Sequence, residues 1–452
     1  MTTLKTVLNW RPRTPFFYGW LVLGVGALGA FVATSIAGVV LGGIQGFIVA
    51  ETGWSRGLIG LAAAVGVWGS GLSAPFIGRL ADHVGPRWLM PLGTLMLGLG
   101  LFALGSVHAM GLFFLIAVLA RALSQPVLIG VVPQTLAVSF FRHKRNLALA
   151  LTGLFRPISG AILIQLVSAI AAVYSWRTAF RSLGILSVLL TLPMLLIIRR
   201  RPEDIGLRPD GDHVEAPTQT GSVRRLHNPG SREADLDLMV VSEPHEPAWT
   251  AREVLGTATF WLIALASFLS VSSGSLISFN MVPYLHEEVH LSMSQAAGVL
   301  SLSTVFALVN LVWGYVADKL TPRRCMIGTM LGAAGTVLLL VGVDSLFSAY
   351  VFGILWGIVS SSQVLIYMIL AHYFGQASYG TIAGSLRPFE AGGLGVGQSL
   401  GAVLYEMTGS YSGLMVASFG ALLLAALLMF LARPPAAPVV LKNSGRLPHR
   451  CG

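Results

Sequence analysis

Cysteine is nearly absent from this chain. Only Cys325 and Cys451 occur in 452 residues, which excludes a disulfide framework. Charge is sparse too: Asp, Glu, Lys and Arg together make up 11% of the residues, against about 25% in a soluble protein. An ordinary soluble domain is therefore excluded. Acids are the scarcer sign, 19 against 29 Lys and Arg, for a formal charge of +10. The sequence also lacks a metal-ligand cluster, a phosphate-cradling glycine loop and a nucleophile–base constellation. These gaps point away from an enzyme and from any cofactor. Without an ATP-binding motif, uphill work would have to draw on a gradient.

What is present is apolar. Hydrophobic residues make up 54% of the chain, gathered into runs of the length that crosses a bilayer. The first half gives runs at 17–49, 57–78, 89–107, 111–139, 147–173 and 180–198. The second gives 258–285, 294–317, 325–342, 346–373, 381–404 and 413–432. The expected fold class is an all-α integral membrane protein with twelve transmembrane helices in two pseudo-symmetric six-helix bundles. The bundles are expected at 1–198 and 258–432, joined by a polar cytoplasmic linker at 199–257 and followed by a disordered cytoplasmic tail at 433–452. Within the linker, Thr250 and Glu253 have capping-box spacing ahead of a short helix.

The basic residues sort to one side. Arg142, Lys144 and Arg145, then Arg199, Arg200 and Arg201, then Lys319, Arg323 and Arg324 all fall on the side of the basic N-terminal stretch. The positive-inside rule places that side, and both termini, in the cytoplasm of a cell inner-membrane protein. The partner implied by the charge is the anionic lipid surface, not nucleic acid. The first apolar run is too long for a cleavable signal and is expected to act as a signal-anchor.

Three arginines lie deep in the apolar runs, two of them at matching places. Arg156-Pro157 lies inside the fifth run and Arg387-Pro388 inside the eleventh, its counterpart in the second half. At 1.5 Å per residue they lie about 14 and 10 Å into their helices, and Arg121 in the fourth run lies about 15 Å deep. An intramembrane Arg costs about 2.5–3.5 kcal/mol on insertion scales and marks a functional site by default. Glu390, one turn beyond Arg387, is the acid at comparable depth. If those two pair, a positive excess remains, and a guanidinium fork suits a carboxylate. The ligand class this favours is a small organic anion. Gln45, Asn280, Tyr284, Asn310, Gln363, Tyr367 and Gln398 are further polar residues in these runs, available to line a cavity or to bond between helices. Arg121 has a second reading, as a ligand of helix-end carbonyls.

A loop also repeats. Gly78-Arg79-Leu80-Ala81-Asp82 runs on to Gly85-Pro86-Arg87, and Gly314-Tyr315-Val316-Ala317-Asp318 to Thr321-Pro322-Arg323. Each Asp sits at a helix end, where it can pair with Arg or accept backbone donors. Such contacts can hold two bundles together in one state, as a gate, or act as a fixed staple.

This loop resembles the signature of the major facilitator superfamily, and the likeness extends over the whole chain through its repeat. Arg121 resembles the arginine that family carries in its fourth helix, with Pro126 where glycine is usual. Phe17-Tyr18-Gly19-Trp20, Gly53-Trp54-Ser55-Arg56, Arg201-Pro202-Glu203-Asp204 with the residues up to Gly211, and Phe260-Trp261 look like the bacterial branch near monocarboxylate and oxalate/formate carriers. The resemblance implies the fold and alternating access, but not the cargo. Together with the charged interior, the expectation is a monomeric secondary transporter that moves a small organic anion with a proton or in exchange for a counter-anion. In it Arg156, Arg387, Arg121, Tyr284, Asn280, Gln363 and Tyr367 would contact substrate and Glu390 would couple protons. Gly78, Asp82, Arg87, Gly314, Asp318 and Arg323 would form the gates. An exporter of amphipathic or drug-like compounds and a transporter-like sensor without turnover are the alternatives.

Overall fold

The computed structural model describes residues 15–36, 38–208, 210, 249–360, 362–408 and 410–435. Most of the expected linker and tail, at 211–248 and 436–452, lies outside the described residues. The first half forms α1 (Tyr18–Thr34), α2 (Gly38–Thr52), α3 (Arg56–Val84), α4 (Pro86–Leu104), α5 (Met110–Ser124), α6 (Val131–Phe140), α7 (Arg145–Val173) and α8 (Trp176–Ile197). After the short α9 (Ala251–Leu255) come α10 (Ala258–Glu287), α11 (Met293–Phe306), α12 (Asn310–Leu320), α13 (Pro322–Val341), α14 (Leu346–Ser360), α15 (Val364–Phe374), α16 (Tyr379–Thr408) and α17 (Ser412–Leu431). Pairing the broken helices α1–α2, α5–α6, α11–α12 and α14–α15 gives six crossings in each half.

Counting α5–α6 and α14–α15 each as one span, nine helices among the described residues are long and apolar enough to cross a bilayer. The other three crossings fall short for local reasons. The first breaks at Ser35-Ile36, the eighth is interrupted by a 3-10 turn at Ala307–Val309, and α16 carries Arg387, Glu390 and many glycines. Irregular backbone at membrane depth needs partners. Between α5 and α6 the chain widens into a π-helical turn, Gln125–Ile129. Pro126 has no N–H to give Ala122, and the Ser73 hydroxyl donates to that carbonyl instead, at 2.6 Å.

The two halves touch through glycines. A Cβ at Gly380 would stand 2.8 Å from the Gly78 carbonyl oxygen, and one at Gly71 would stand 2.5 Å from the Ala391 Cβ, so α3 and α16 pack backbone to backbone. The symmetric contact joins α12 to α7, where a Cβ at Gly314 would lie 3.2 Å from the Asn146 carbonyl oxygen. By contrast α2 and α11, the halves of their crossings remote from the basic loops, make their main contacts within their own bundles. The bundles are thus closed against each other at the basic face and part towards the opposite one.

The polar segments are tied down locally. Asp210 accepts backbone N–H bonds from Arg142 (2.7 Å), His143 (2.5 Å) and Lys144 (3.3 Å), which fastens the chain after α8 to the α6–α7 loop. The Thr250–Glu253 capping box is formed at the start of α9. The Thr250 backbone N–H and hydroxyl donate to the Glu253 carboxylate at 2.8 Å each and hold it below its ordinary range. The cap is therefore present at neutral pH and is lost as pH falls through that lowered value.

The repeated loops turn at equivalent residues, Gly85 (φ +89°) and Thr321 (φ +77°), each followed by proline at the helix start. A β-branched residue at positive φ is strained. Thr321→Gly is expected to raise stability by about 1 kcal/mol, the relieved strain exceeding the entropy of a new glycine. Gly85→Ala is expected to lower it by about 1–3 kcal/mol, because the new Cβ also meets the Arg200 side chain at 2.8 Å. Thermal unfolding of the purified variants in detergent checks both signs.

Candidate functional site

Where the bundles meet at mid-depth they enclose a cavity of 240 Å³. Its wall is drawn from α3, the π-helical turn, α7, α10, α16 and the start of α15, so both bundles contribute. The charged residues on it are Arg156, Arg387 and Glu390, a formal sum of +1.

Arg387 is held from several sides. Its Nη1 donates to Glu390 Oε2 at 3.1 Å, across one turn of α16. The Tyr367 hydroxyl donates to the same oxygen at 2.6 Å, and the Arg387 guanidinium lies 4.6 Å from the centre of the Tyr367 ring. Tyr367 is in turn positioned by the Tyr379 hydroxyl, which donates to its carbonyl at 3.3 Å. A Cβ at Gly130 would lie 3.3 Å from Arg387 Nη2, so the absence of a side chain there makes room for the guanidinium of the other bundle. Arg387 Nε, Glu390 Oε1 and Gln363 Oε1 are buried without partners among the described residues. Atoms in that condition are expensive in an apolar interior unless something completes them.

Arg156 is different. Its side chain is exposed, and it is to the cavity that it is exposed. Among the described residues no hydrogen bond or ion pair reaches it, while the positive fields of Arg387 and Arg121 both touch it. The cavity therefore combines one clamped guanidinium with one that has no counter-charge among the described residues.

Three residues expected at this site do not line it. Arg121 is 4% exposed and donates from Nη1 to the Ile36 carbonyl at 2.8 Å. The break between α1 and α2 leaves that carbonyl without a helical donor, and Arg121 supplies one. Room for its stem comes from Gly66, where a Cβ would be 2.7 Å from Arg121 Cδ. Tyr284 donates to the Leu340 carbonyl at 3.0 Å and packs edge-on against Tyr411. Asn280 returns its amide to the Leu276 carbonyl of its own helix at 2.8 Å. These three belong to helix packing in the structure. Gln363 and Tyr367 do line the cavity, and Gln398 borders a neighbouring one.

The residues expected to form gates divide in the same way. Asp82 reaches across to the other bundle and caps the start of α16, accepting from Gly380 N (3.0 Å), Thr381 N (2.8 Å) and Thr381 Oγ1 (2.6 Å). Its acceptors face a distant helix, not the next one in sequence. Asp318 receives the Asn146 amide near the start of α7 at 2.6 Å. Gly78 and Gly314 allow the close approach at these two contacts. Arg87 lies 5.7 Å over the ring of its neighbour Trp88. Arg323 donates to the Met429 carbonyl at 3.2 Å and also to that of Phe430, so it caps the end of α17 inside its own bundle. Sequence reasoning missed Asn146, Gly380, Thr381 and Tyr379. A signal was available: Asn146 and Gly380 are the second residues of the two corresponding helices.

Two six-helix bundles closed at one face around a charged cavity at mid-depth define a polytopic membrane carrier. The chain belongs to the Major Facilitator Superfamily, whose profile matches residues 23–263 and again 263–450. It is similar to an MFS-type transporter of Gibberella moniliformis, 24% identical over 420 residues, covering 90% of this chain and 89% of that one. It is also similar to the oxalate:formate antiporter of Oxalobacter formigenes, 24% identical over 261 residues, 56% of this chain and 53% of that one. The membrane sensor protein UhpC of Salmonella typhimurium is 25% identical over 311 residues, 66% of this chain and 64% of that one. Among solved structures, FucP in the outward conformation superposes with a TM-score of 0.67 at 13% identity, covering 92% of this chain and 99% of that one. That likeness shows the fold.

Asp82→Ala is expected to leave the start of α16 uncapped and to weaken the closed basic face by about 0.5–2 kcal/mol. Ala74, fully buried against α16, is the reporter. In a background where it is the only cysteine, Ala74→Cys should react with a thiol reagent about 2- to 30-fold faster when Asp82→Ala is added.

Proposed function

We propose that this protein is a secondary transporter for a small organic anion, a carboxylate, by alternating access between its two bundles. The observation that carries the reading is Arg156: a guanidinium inside a membrane protein, open to a central cavity and without a counter-charge among the described residues. Charge-assisted, bidentate pairing with a carboxylate completes it, and Arg387 on the facing bundle offers a second pole. An anion bound between them would draw the bundles together, which is the coupling that alternating access needs. The protein acts as a monomer in the cytoplasmic membrane with both termini and the basic loops inside.

Glu390 supplies the coupling. It shares Arg387 with the incoming carboxylate, and a carboxylate displaced from its guanidinium in a low-dielectric site takes up a proton. Symport of proton and anion follows, and exchange of one anion for another remains possible when Glu390 stays paired. Relatedness to an oxalate:formate antiporter supports the anion. Relatedness to a membrane sensor keeps a receptor without turnover as the second reading. Drug export is disfavoured by the positive cavity.

Arg156→Ala is expected to weaken carboxylate binding by about 10- to 150-fold, the worth of a charge-assisted hydrogen bond. Arg156→Lys should lose less, since it keeps the charge and surrenders the fork. Calorimetric titration of purified variants measures both, and unchanged affinity in Arg156→Ala would remove Arg156 from the site. Glu390→Gln should abolish proton-driven accumulation in proteoliposomes while exchange of labelled for unlabelled anion continues. Accumulation by that variant under an imposed pH difference would exclude Glu390 as the coupling group. Binding without either flux in the wild type would favour the sensor.

A further inference from the structure

A second cavity of 430 Å³ lies beside the first, inside the second bundle, and the two share Val271, Gln363 and Leu394 as lining residues. Its chemistry is unlike that of its neighbour. None of the described residues that border it is charged, yet hydroxyls and amides from four helices turn towards it. Ser270, Ser360 and Gln398 have no hydrogen-bond partner among the described residues. Ser278 accepts from Trp356 Nε1 at 3.2 Å and keeps its own hydroxyl proton to donate. Gln363 stands on the boundary with a buried, unpartnered Oε1. Trp356, stacked on Phe352, provides one flat apolar wall.

Volume and polarity together constrain the occupant. At about 30 Å³ per water the two cavities hold roughly 8 and 14 waters, so a formate-sized anion would leave most of the space filled with solvent. A longer alkyl carboxylate would fill it but would face serine and glutamine groups it cannot bond, and unbonded buried polar groups are penalised. The occupant that satisfies both cavities has one anionic end and a body carrying several hydroxyls. We infer that the cargo is a polyhydroxylated organic acid, of the sugar-acid class, with its carboxylate between Arg156 and Arg387 and its hydroxylated body among Ser270, Ser278, Ser360 and Gln398. This inference rests on the anion reading above and narrows it.

The test uses the full chain purified in detergent and matched probes: gluconate against hexanoate, glycerate against propionate, and neutral glucose. In at least one pair the hydroxylated acid is expected to bind about tenfold or more tighter than its alkyl counterpart, with glucose weaker than gluconate by a similar factor. Ser270→Ala and Gln398→Ala should each lower the ratio of hydroxylated to alkyl affinity about fivefold. Alkyl acids that bind as tightly as hydroxylated ones in both pairs would overturn the hydroxylated cargo and leave the anion reading standing. Glucose binding as tightly as gluconate, or no binding by any of the acids, would overturn the anion reading and this inference with it. Because the decisive comparison is made on the wild-type protein, a variant that fails to fold does not obscure the result.

Discussion

A guanidinium cannot rest at the middle of a bilayer without something to share its charge, and the architecture of this protein is arranged around three answers to that constraint. Arg121 gives its proton-rich end to the Ile36 carbonyl, exposed where the first crossing breaks. Arg387 takes a carboxylate from its own helix and an aromatic face from α15. Arg156 takes neither among the described residues, and the space before it is the central cavity. The first arrangement stabilises a discontinuity in the backbone. The second pairs the charge within its own helix, and on the proposed reading a substrate anion competes for that pair. The third leaves a charge open to the cavity, which the same reading gives to the substrate. Identical side chains at similar depth thus sit in three different environments according to what stands close to each.

The same logic sets the limits of what could be read from the chain alone. The crossings were legible because membrane-length apolar runs have few competing explanations, and even the interrupted ones were found, since a run of apolar residues continues through a break that the backbone does not. Arg156 and Arg387 were legible because charge inside such a run is rare and here recurs in both halves. For Arg121 the kind of partner, a helix-end carbonyl, was legible, but its identity was not: the carbonyl is the one freed by the helix break near Ile36, which no residue pattern announces. Tyr284 and Asn280 looked like cavity residues because polar groups in apolar helices have two uses, and only the direction of the helix face separates them. Tyr284 turned out to face Leu340 and Tyr411, Asn280 its own helix. The serines of the second cavity were illegible for a further reason: serine is common in membrane helices, and many of its hydroxyls return to a carbonyl of their own turn, as those of Ser303 and Ser362 do.

Small residues perform the complementary task. Where the bundles close on each other, glycines bring helix backbones into contact, so that a single carboxylate can reach the amide groups at the start of a helix in the opposite half. An uncapped helix start carries orphan donors and a partial positive charge. Asp82 satisfies both at once for α16. The capped helix is also the one that carries Arg387 and Glu390. The state of the basic face and the position of the cavity arginine are therefore set by the same rigid element, and a displacement at one end of α16 is felt at the other.

Internal duplication suggests two equivalent latches, but the two are built differently. Asp82 gathers three donors from Gly380 and Thr381, whereas the bond drawn to Asp318 comes from the single amide of Asn146. The α12–α7 edge also carries Arg145, whose Nη1 reaches from α7 to the Ala371 carbonyl of α15 at 3.5 Å. Two halves alike in descent thus close one face with unlike fastenings: on one side a carboxylate that gathers the head of a facing helix, on the other contacts spread over two helices.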